Sequence, residues 1–356
     1  MHAAARRERL RARLAEAGLD GFLVTRLVNV RYLTGFSGSN GRLFLGADPA
    51  ADCLATDGRY EEQAAGEAPD LEKSLAPESA WLPARVAAGA RIGVESHDLT
   101  WEGAERLRGL LAQAELVAAP RWVEELREVK DDSELAALGR ACAIGDAAFA
   151  ELLGWVRPGM TEREVAGRLE ADMRRLGADG PSFDTIVASG PNSARPHHHP
   201  GTRALVAGDL LKVDFGALVD GYHSDMTRTV ALGDPGSALR AVHALVRRAQ
   251  EAGRAAAVAG ATAGEVDHAC RTVIADGGHA ERFVHPTGHA VGLEIHEAPI
   301  LHEGAAATLT DRMAVTVEPG VYLPGLGGVR IEDVVVVRAE GPCDVLTTTS
   351  RELITL

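Results

Sequence analysis

The sequence predicts a mixed α/β protein of two domains, a small N-terminal α/β domain followed by a larger α+β catalytic domain. Three observations carry that expectation. A chain of 356 residues is about two domains long at roughly 150 residues each. Short apolar runs alternate with helical patterns over the first third, the mark of an α/β unit. A charged stretch, EELREVKDDSE at 124–134, then separates this third from a region of long helices and hairpins. The boundary is placed near 125–130, giving domains 1–127 and 128–356.

Each element follows from local pattern. Leu10, Leu14 and Ala17 recur at helical spacing and stop at Gly18, a natural C′ residue. GFLVT reads as a short buried strand, RYLTGFSGSNGRLFLG as strand, Gly/Ser loop and strand, and ADCLATDGRY as a strand ending in a turn. RIGVE at 91–95 repeats the strand signal. Asp131-x-x-Glu134 has the form of a capping box opening a helix that Pro158-Gly159 closes. Thr161-x-x-Glu164 offers a second box, for a helix running to Gly177. Two more helices are expected at about 237–259 and 263–277, before the strand-rich VEPGVYLPGLGGVRIEDVVVV.

Composition excludes several classes. With 46% hydrophobic and 25% charged residues, the chain has the balance of a globular protein. Lys+Arg number 37 against 51 Asp+Glu, a net charge of −14 with pI near 5.4. That field repels a phosphate backbone, so no nucleic-acid partner is expected. Lysine occurs only at 73, 130 and 212; all other basic residues are arginine, which reads as genome composition. The four cysteines lie far apart with no C-x-x-C pair, which disfavours a zinc finger or disulfide scaffold. The first twenty residues lack an apolar core and no apolar run reaches 18 residues, so neither a signal peptide nor a membrane span is expected. A cytoplasmic protein is the expectation.

Three segments hold chemistry. In LLKVDFGALVDGYHSDMTRTV (210–230), Asp220-Gly221 marks a hairpin turn. With those two as the turn residues, Asp214 faces Thr227, and Asp225 is a diagonal neighbour on the same face, about 7–8 Å away. A register two residues off sets the aspartates directly opposite. Two acids aimed at one point repel unless a cation lies between them or one is protonated; the plain alternative is a solvated hairpin face. HPTGHAVGLEIHEAP (285–299) gathers His285, His289 and His296 among small residues, at a spacing unlike the H-E-x-x-H of zinc proteases. Glu318 ends the run AVTVE before Pro319-Gly320. Arg330 and Glu332, two apart in a strand, share one face, with Val329 and Ile331 toward the core; taken alone, they make an ordinary structural Arg–Glu pair. Together the segments supply four carboxylates and an imidazole, a donor set suited to Mn²⁺, Co²⁺ or Zn²⁺ and sufficient for a two-metal hydrolytic site.

Asp214, Asp225, His289, Glu318 and Glu332, within VDFGALVDGYHSDMTRT, HPTGHAVGLEIHE, VTVEPGVY and GVRIED, resemble in order and context the metal ligands of the pita-bread metallopeptidases. That family includes methionine aminopeptidase, aminopeptidase P, prolidase and creatinase. The resemblance covers about 130–356, and YLTGFSGSNG and TDGRY are similar to the extra N-terminal domain of the Xaa-Pro peptidase branch. It implies a pita-bread catalytic domain behind a creatinase/prolidase-like N-terminal domain, and two divalent ions, with Mn²⁺ the expected pair. Asp214 would hold one ion, Asp225 and Glu332 would bridge, and His289 and Glu318 would hold the second, Glu318 also moving the proton of the attacking water. In SGPNSARPHHHP, His197 best matches the family's histidine near the scissile amide, with His198 and His199 leaving the register open. His296 matches a second such histidine, and His285 and Arg330 match substrate-pocket positions. The implied substrates are proline-containing peptides, with a homodimer expected. Aminopeptidase P is favoured over prolidase, because Arg330 is the lone arginine between Glu318 and Glu332 and LPGLGG is a short, uncharged connection with no clamp for a carboxylate directly after proline. A metal-free binding module or a creatinase-like enzyme fits poorly with a complete ligand set.

Overall fold

The computed structural model describes residues 2–356, in two compact units, Met1–Arg127 and Glu128–Leu356. Helix and strand are mixed in both, as the sequence predicts.

The first unit is built on a six-stranded sheet, in the order Glu72–Ser74, Cys53–Ala55, Arg42–Gly46, Gly21–Val24, Arg91–Val94, Glu115–Ala118. The central strand Gly21–Val24 runs antiparallel to Arg42–Gly46 and parallel to Arg91–Val94. The first helix, His2–Ala17, buries Leu10 and Leu14 together with Arg7, while Ala17 is exposed. Gly18 adopts φ 63°, the left-handed turn that ends such a helix. One expectation fails here: RYLT is the end of the helix Leu27–Thr34, closed by Gly35 at φ 85°. Its buried residues Asn29, Val30, Leu33 and Thr34 follow helical spacing. Asn29 is held by Glu95, 2.6 Å away, a partner 66 residues along the chain that no local pattern reveals.

The second unit repeats one local device twice. Helix Asp132–Trp155 is followed by Glu162–Arg175, and Ser237–Ala256 by Ala263–Asp276. Three of these four helices open with a full capping box, at Asp131/Glu134, Thr161/Glu164 and Thr262/Glu265, each reciprocal pair satisfying end-of-helix donors. The first two helices bury Phe149, Leu152, Val165 and Leu169 against Leu211, Val213 and Phe215. The other two bury Val246, Ala249, Val266 and Cys270 against Val315, Val317, Val329 and Val335.

The long hairpin pairs Asp214 with Thr227 and Val219 with Tyr222, the register set by the Asp220-Gly221 turn. It is broken in the middle. Leu210–Phe215 and Met226–Ala231 form one sheet with Ile186–Ser189, while Ala217–Val219 and Tyr222–His223 join Gly180–Pro181 in another. Gly216 makes the break possible, since a Cβ there would stand 1.8 Å from the Ser224 carbonyl oxygen. Glu332 lies between the strands Gly327–Arg330 and Asp333–Val336, so it does not share a continuous strand with Arg330 as the sequence reading held. No described helix is long and apolar enough to cross a membrane, and the four cysteines are free thiols.

Candidate metal centre

Asp225, His289 and Glu332 place ligand atoms within 4.8 Å of one another, all buried. Asp225 comes from the start of one hairpin arm, His289 from the short strand Gly288–Ala290, and Glu332 from the link between two strands. His289 is oriented by its own neighbour. Its Nδ1 lies 3.1 Å from the Ala290 carbonyl, which only accepts, so Nδ1 carries the proton. Nε2 then offers its lone pair inward, as a metal-binding imidazole requires. That Nε2 is 3.6 Å from Asp225 Oδ2 and 3.5 Å from Glu318 Oε1.

Asp214 and Glu318 bring two further carboxylates to this cluster, Glu318 within 3.5 Å of His289. Asp214 is paired with the guanidinium of Arg330. Glu318 follows the strand Ala314–Val317, with its amide 2.7 Å from the Thr287 carbonyl. Arg330 ties the group together. It donates from Nε to Thr227 Oγ1 at 3.0 Å and from Nη1 to Tyr322 OH at 2.8 Å and the Pro196 carbonyl at 3.3 Å. Thr227 in turn donates to Glu332 Oε2 at 2.7 Å.

One oxygen on each of three carboxylates, Asp214 Oδ1, Asp225 Oδ1 and Glu332 Oε1, is buried without a hydrogen-bond partner. Buried polar atoms are nearly always satisfied, and unpartnered acceptors on neighbouring buried carboxylates fit a bound cation. Electrostatics agree. Burial, then repulsion from neighbouring carboxylates, holds Asp225 and Glu332 well above the usual carboxylate range. Glu318 is pushed up to about 8, chiefly by burial, and His289 down to about 4 by burial and the nearby His296. A divalent ion would relieve the repulsion directly. The residues fit the divalent ions that the donor set implies.

A cavity of about 170 Å³ opens onto this cluster, walled by His197, His285, His289, His296, Glu318 and Arg330. His296 sets its ring edge-on to His289, with centroids 4.4 Å apart. His285 is engaged at both nitrogens, with the Pro286 carbonyl at 2.7 Å and Tyr322 OH at 2.8 Å. Burial, then the charge of Arg330, lowers it to about 3, so it is neutral. The three consecutive histidines separate here. His197 faces the cavity, and His198 turns away to Glu162, 2.8 Å off. Sequence reasoning placed Thr227 opposite Asp214 without giving it a task. It passed over Tyr322, Lys212 and Glu162, most of whose partners are distant in sequence.

The arrangement of a buried carboxylate–imidazole cluster under a histidine-walled cavity is that of a metal-dependent hydrolase, and the chain belongs to a known one. Residues 136–339 match metallopeptidase family M24, and residues 6–129 match the creatinase/prolidase N-terminal domain. Among its relatives, an Xaa-Pro dipeptidase of Pyrococcus furiosus is 34% identical across 98% of this chain and 99% of its own. The solved Xaa-Pro dipeptidase of Bacillus anthracis is 40% identical with a TM-score of 0.94, covering 99% of this chain and 100% of that one. The X-Pro aminopeptidase of Thermotoga maritima is 35% identical with a TM-score of 0.91, covering 98% and 99%. The expected branch of the family is thus the one found, and the two-domain plan matches.

Proposed function

We propose that this chain is a divalent-metal-dependent Xaa-Pro dipeptidase, cleaving the bond before a C-terminal proline. The observation that carries the metal dependence is the convergence of Asp225 and Glu332 on His289, with an unpartnered buried oxygen on each of Asp214, Asp225 and Glu332. Full-length relatives named Xaa-Pro dipeptidases support the substrate. This reading replaces the aminopeptidase P expectation. That expectation sought a carboxylate clamp only between Glu318 and Glu332. Arg330 there is fully engaged by Asp214, Thr227, Tyr322 and Pro196, and nothing confines a clamp to that stretch.

Asp214, Asp225, His289, Glu318 and Glu332 would hold two ions. When bound, such ions acidify a water and polarise the scissile carbonyl. Glu318, on the cavity wall, takes the proton of the attacking water and passes it to the proline nitrogen, which has no hydrogen of its own and leaves only once protonated. His197 and His296 donate to the carbonyl oxygen as it gains charge. Arg330 holds Asp214 and Thr227 in place. His285, neutral and doubly hydrogen-bonded, keeps Tyr322 and the cavity wall rigid.

The deciding measurement is kcat/KM for Xaa-Pro against Xaa-Pro-Yaa at one metal concentration and pH. A higher value for the dipeptide is expected; a higher value for the longer peptide makes the enzyme an aminopeptidase.

A further inference from the structure

His197 sits in an irregular segment beyond the short turn Gly190–Ala194, and groups outside the metal cluster hold that segment. Glu162 is wholly buried at the start of helix Glu162–Arg175. Its carboxylate accepts from Ser189 N at 2.9 Å, Ser189 Oγ at 2.8 Å, Asn192 Nδ2 at 3.0 Å and Gly201 N at 3.1 Å. It also meets His198 Nε2 at 2.8 Å. Five donors from one stretch of chain converge on it. An ionised carboxylate only accepts, and these five contacts satisfy it.

Lys212 anchors the same stretch from the sheet. Its side chain is fully buried in strand Leu210–Phe215, and Nζ donates to the Arg195 carbonyl at 2.6 Å and the Pro196 carbonyl at 3.1 Å. Nζ also lies 5.0 Å from the centre of the Tyr322 ring. A buried polar group is costly unless it is hydrogen-bonded, and a methionine would fill the same space without that cost. The donors are therefore the reason for a lysine here. The two carbonyls just before His197 are tied by Lys212, and the ring just after it is tied by Glu162. His197 is left as the histidine facing the cavity.

We propose that Lys212 and His198 are positioning residues, fixing the main chain on either side of His197 so that its imidazole stays on the cavity wall. The inference rests on the peptidase reading for what His197 does there.

The test uses the metal-loaded enzyme with Lys212→Met and His198→Ala, each alone and combined with His197→Ala. Each single variant is expected to lower kcat by roughly 10–100-fold, the scale of an ångström-sized misplacement, with KM and metal content close to wild type. Each double variant should be no slower than His197→Ala alone, because no imidazole remains to be positioned. His198→Gln, which keeps an amide donor toward Glu162, should recover most of the rate. Penalties that multiply in the double variants, or an unchanged kcat in folded Lys212→Met, overturn the proposal. If Lys212→Met fails to fold, the His198 variants decide. A wild type that ignores proline peptides sinks the substrate reading instead. Positioning is then read from the imidazole NMR signals of ¹³C-histidine-labelled protein. The His197 signal should shift in both single variants while that of His296 stays in place, and an unmoved His197 signal overturns the inference.

Discussion

Asp214 stands directly across the hairpin from Thr227, and the Thr227 hydroxyl reaches past it to Glu332, 2.7 Å away. The same hydroxyl accepts from Arg330 Nε, whose guanidinium pairs with Asp214. A neutral side chain thus joins Glu332 to the Arg330–Asp214 pair, while the Arg330 guanidinium also lies 3.8 Å from Glu318 and so sits between two of the acids. The arrangement leaves one oxygen on each of Asp214 and Glu332 with no partner, and those oxygens are what an external ion would bind.

Chelation is therefore expected to abolish hydrolysis, and Mn²⁺ or Co²⁺ to restore it. Because the ligands converge only in the folded state, an ion at a hundredfold excess over its Kd adds about 2.7 kcal/mol of stability, visible as a rise in Tm. Asp225→Ala should lose metal, activity and that rise together. Full activity in Asp225→Ala after dialysis against chelator would refute the dinuclear site.

His197→Ala and His296→Ala should each lower kcat by roughly 10²–10³, the scale for one donor to a developing oxyanion. Their metal content should match wild type, as measured by atomic emission. Loss of metal in His197→Ala would make it a ligand rather than a donor.

Gly288→Ala addresses the strand that carries His289. A Cβ there would meet the Thr316 carbonyl oxygen at 2.0 Å, so the strands must part. Overpacking of this kind costs about 1–3 kcal/mol. Because Thr316 Oγ1 also accepts from the His289 amide at 3.0 Å, metal affinity should fall with stability. Calorimetric titration with Mn²⁺ checks the first and thermal melts the second; an unchanged affinity argues that His289 is not a ligand.

His243, buried in helix Ser237–Ala256, sets a limit in acid. Burial, reinforced by Arg247, lowers it to about 4, against about 6.5 in an unfolded chain. Between those values the unfolded chain binds the extra proton, so stability is complete above about pH 6.5 and declines as pH falls through 4. The loss is of order 3 kcal/mol. His243→Gln should flatten the Tm profile over that window, and an unaltered slope would place the acid sensitivity elsewhere.

The parts of the fold readable from sequence are those decided within a few residues. Asp131/Glu134 and Thr161/Glu164 form their capping boxes, and the Asp220-Gly221 turn fixes the hairpin register, because each rests on local hydrogen bonding. The helix Leu27–Thr34 was misread because Asn29 is held by Glu95. Glu332 was misplaced within a strand because the chain passes from one sheet to another just there. Within the site, residue types and order pointed to the cluster. The separate fates of His197 and His198 were invisible, since they are settled by Glu162 and Lys212 across the fold.

The scarcity of lysine has a practical side. Of the three lysines, Lys130 and Lys212 are buried, and Lys73, half-buried, is the one within reach of solvent. Amine-directed chemistry on the native protein should therefore find Lys73 ahead of the two buried lysines, and a lysine-specific protease should have a single accessible cut among the described residues. A fluorophore or surface tether attached through amines will sit in the N-terminal unit, away from the catalytic residues in sequence. The appearance of label at Lys212 would then report that the interior beneath His197 has opened.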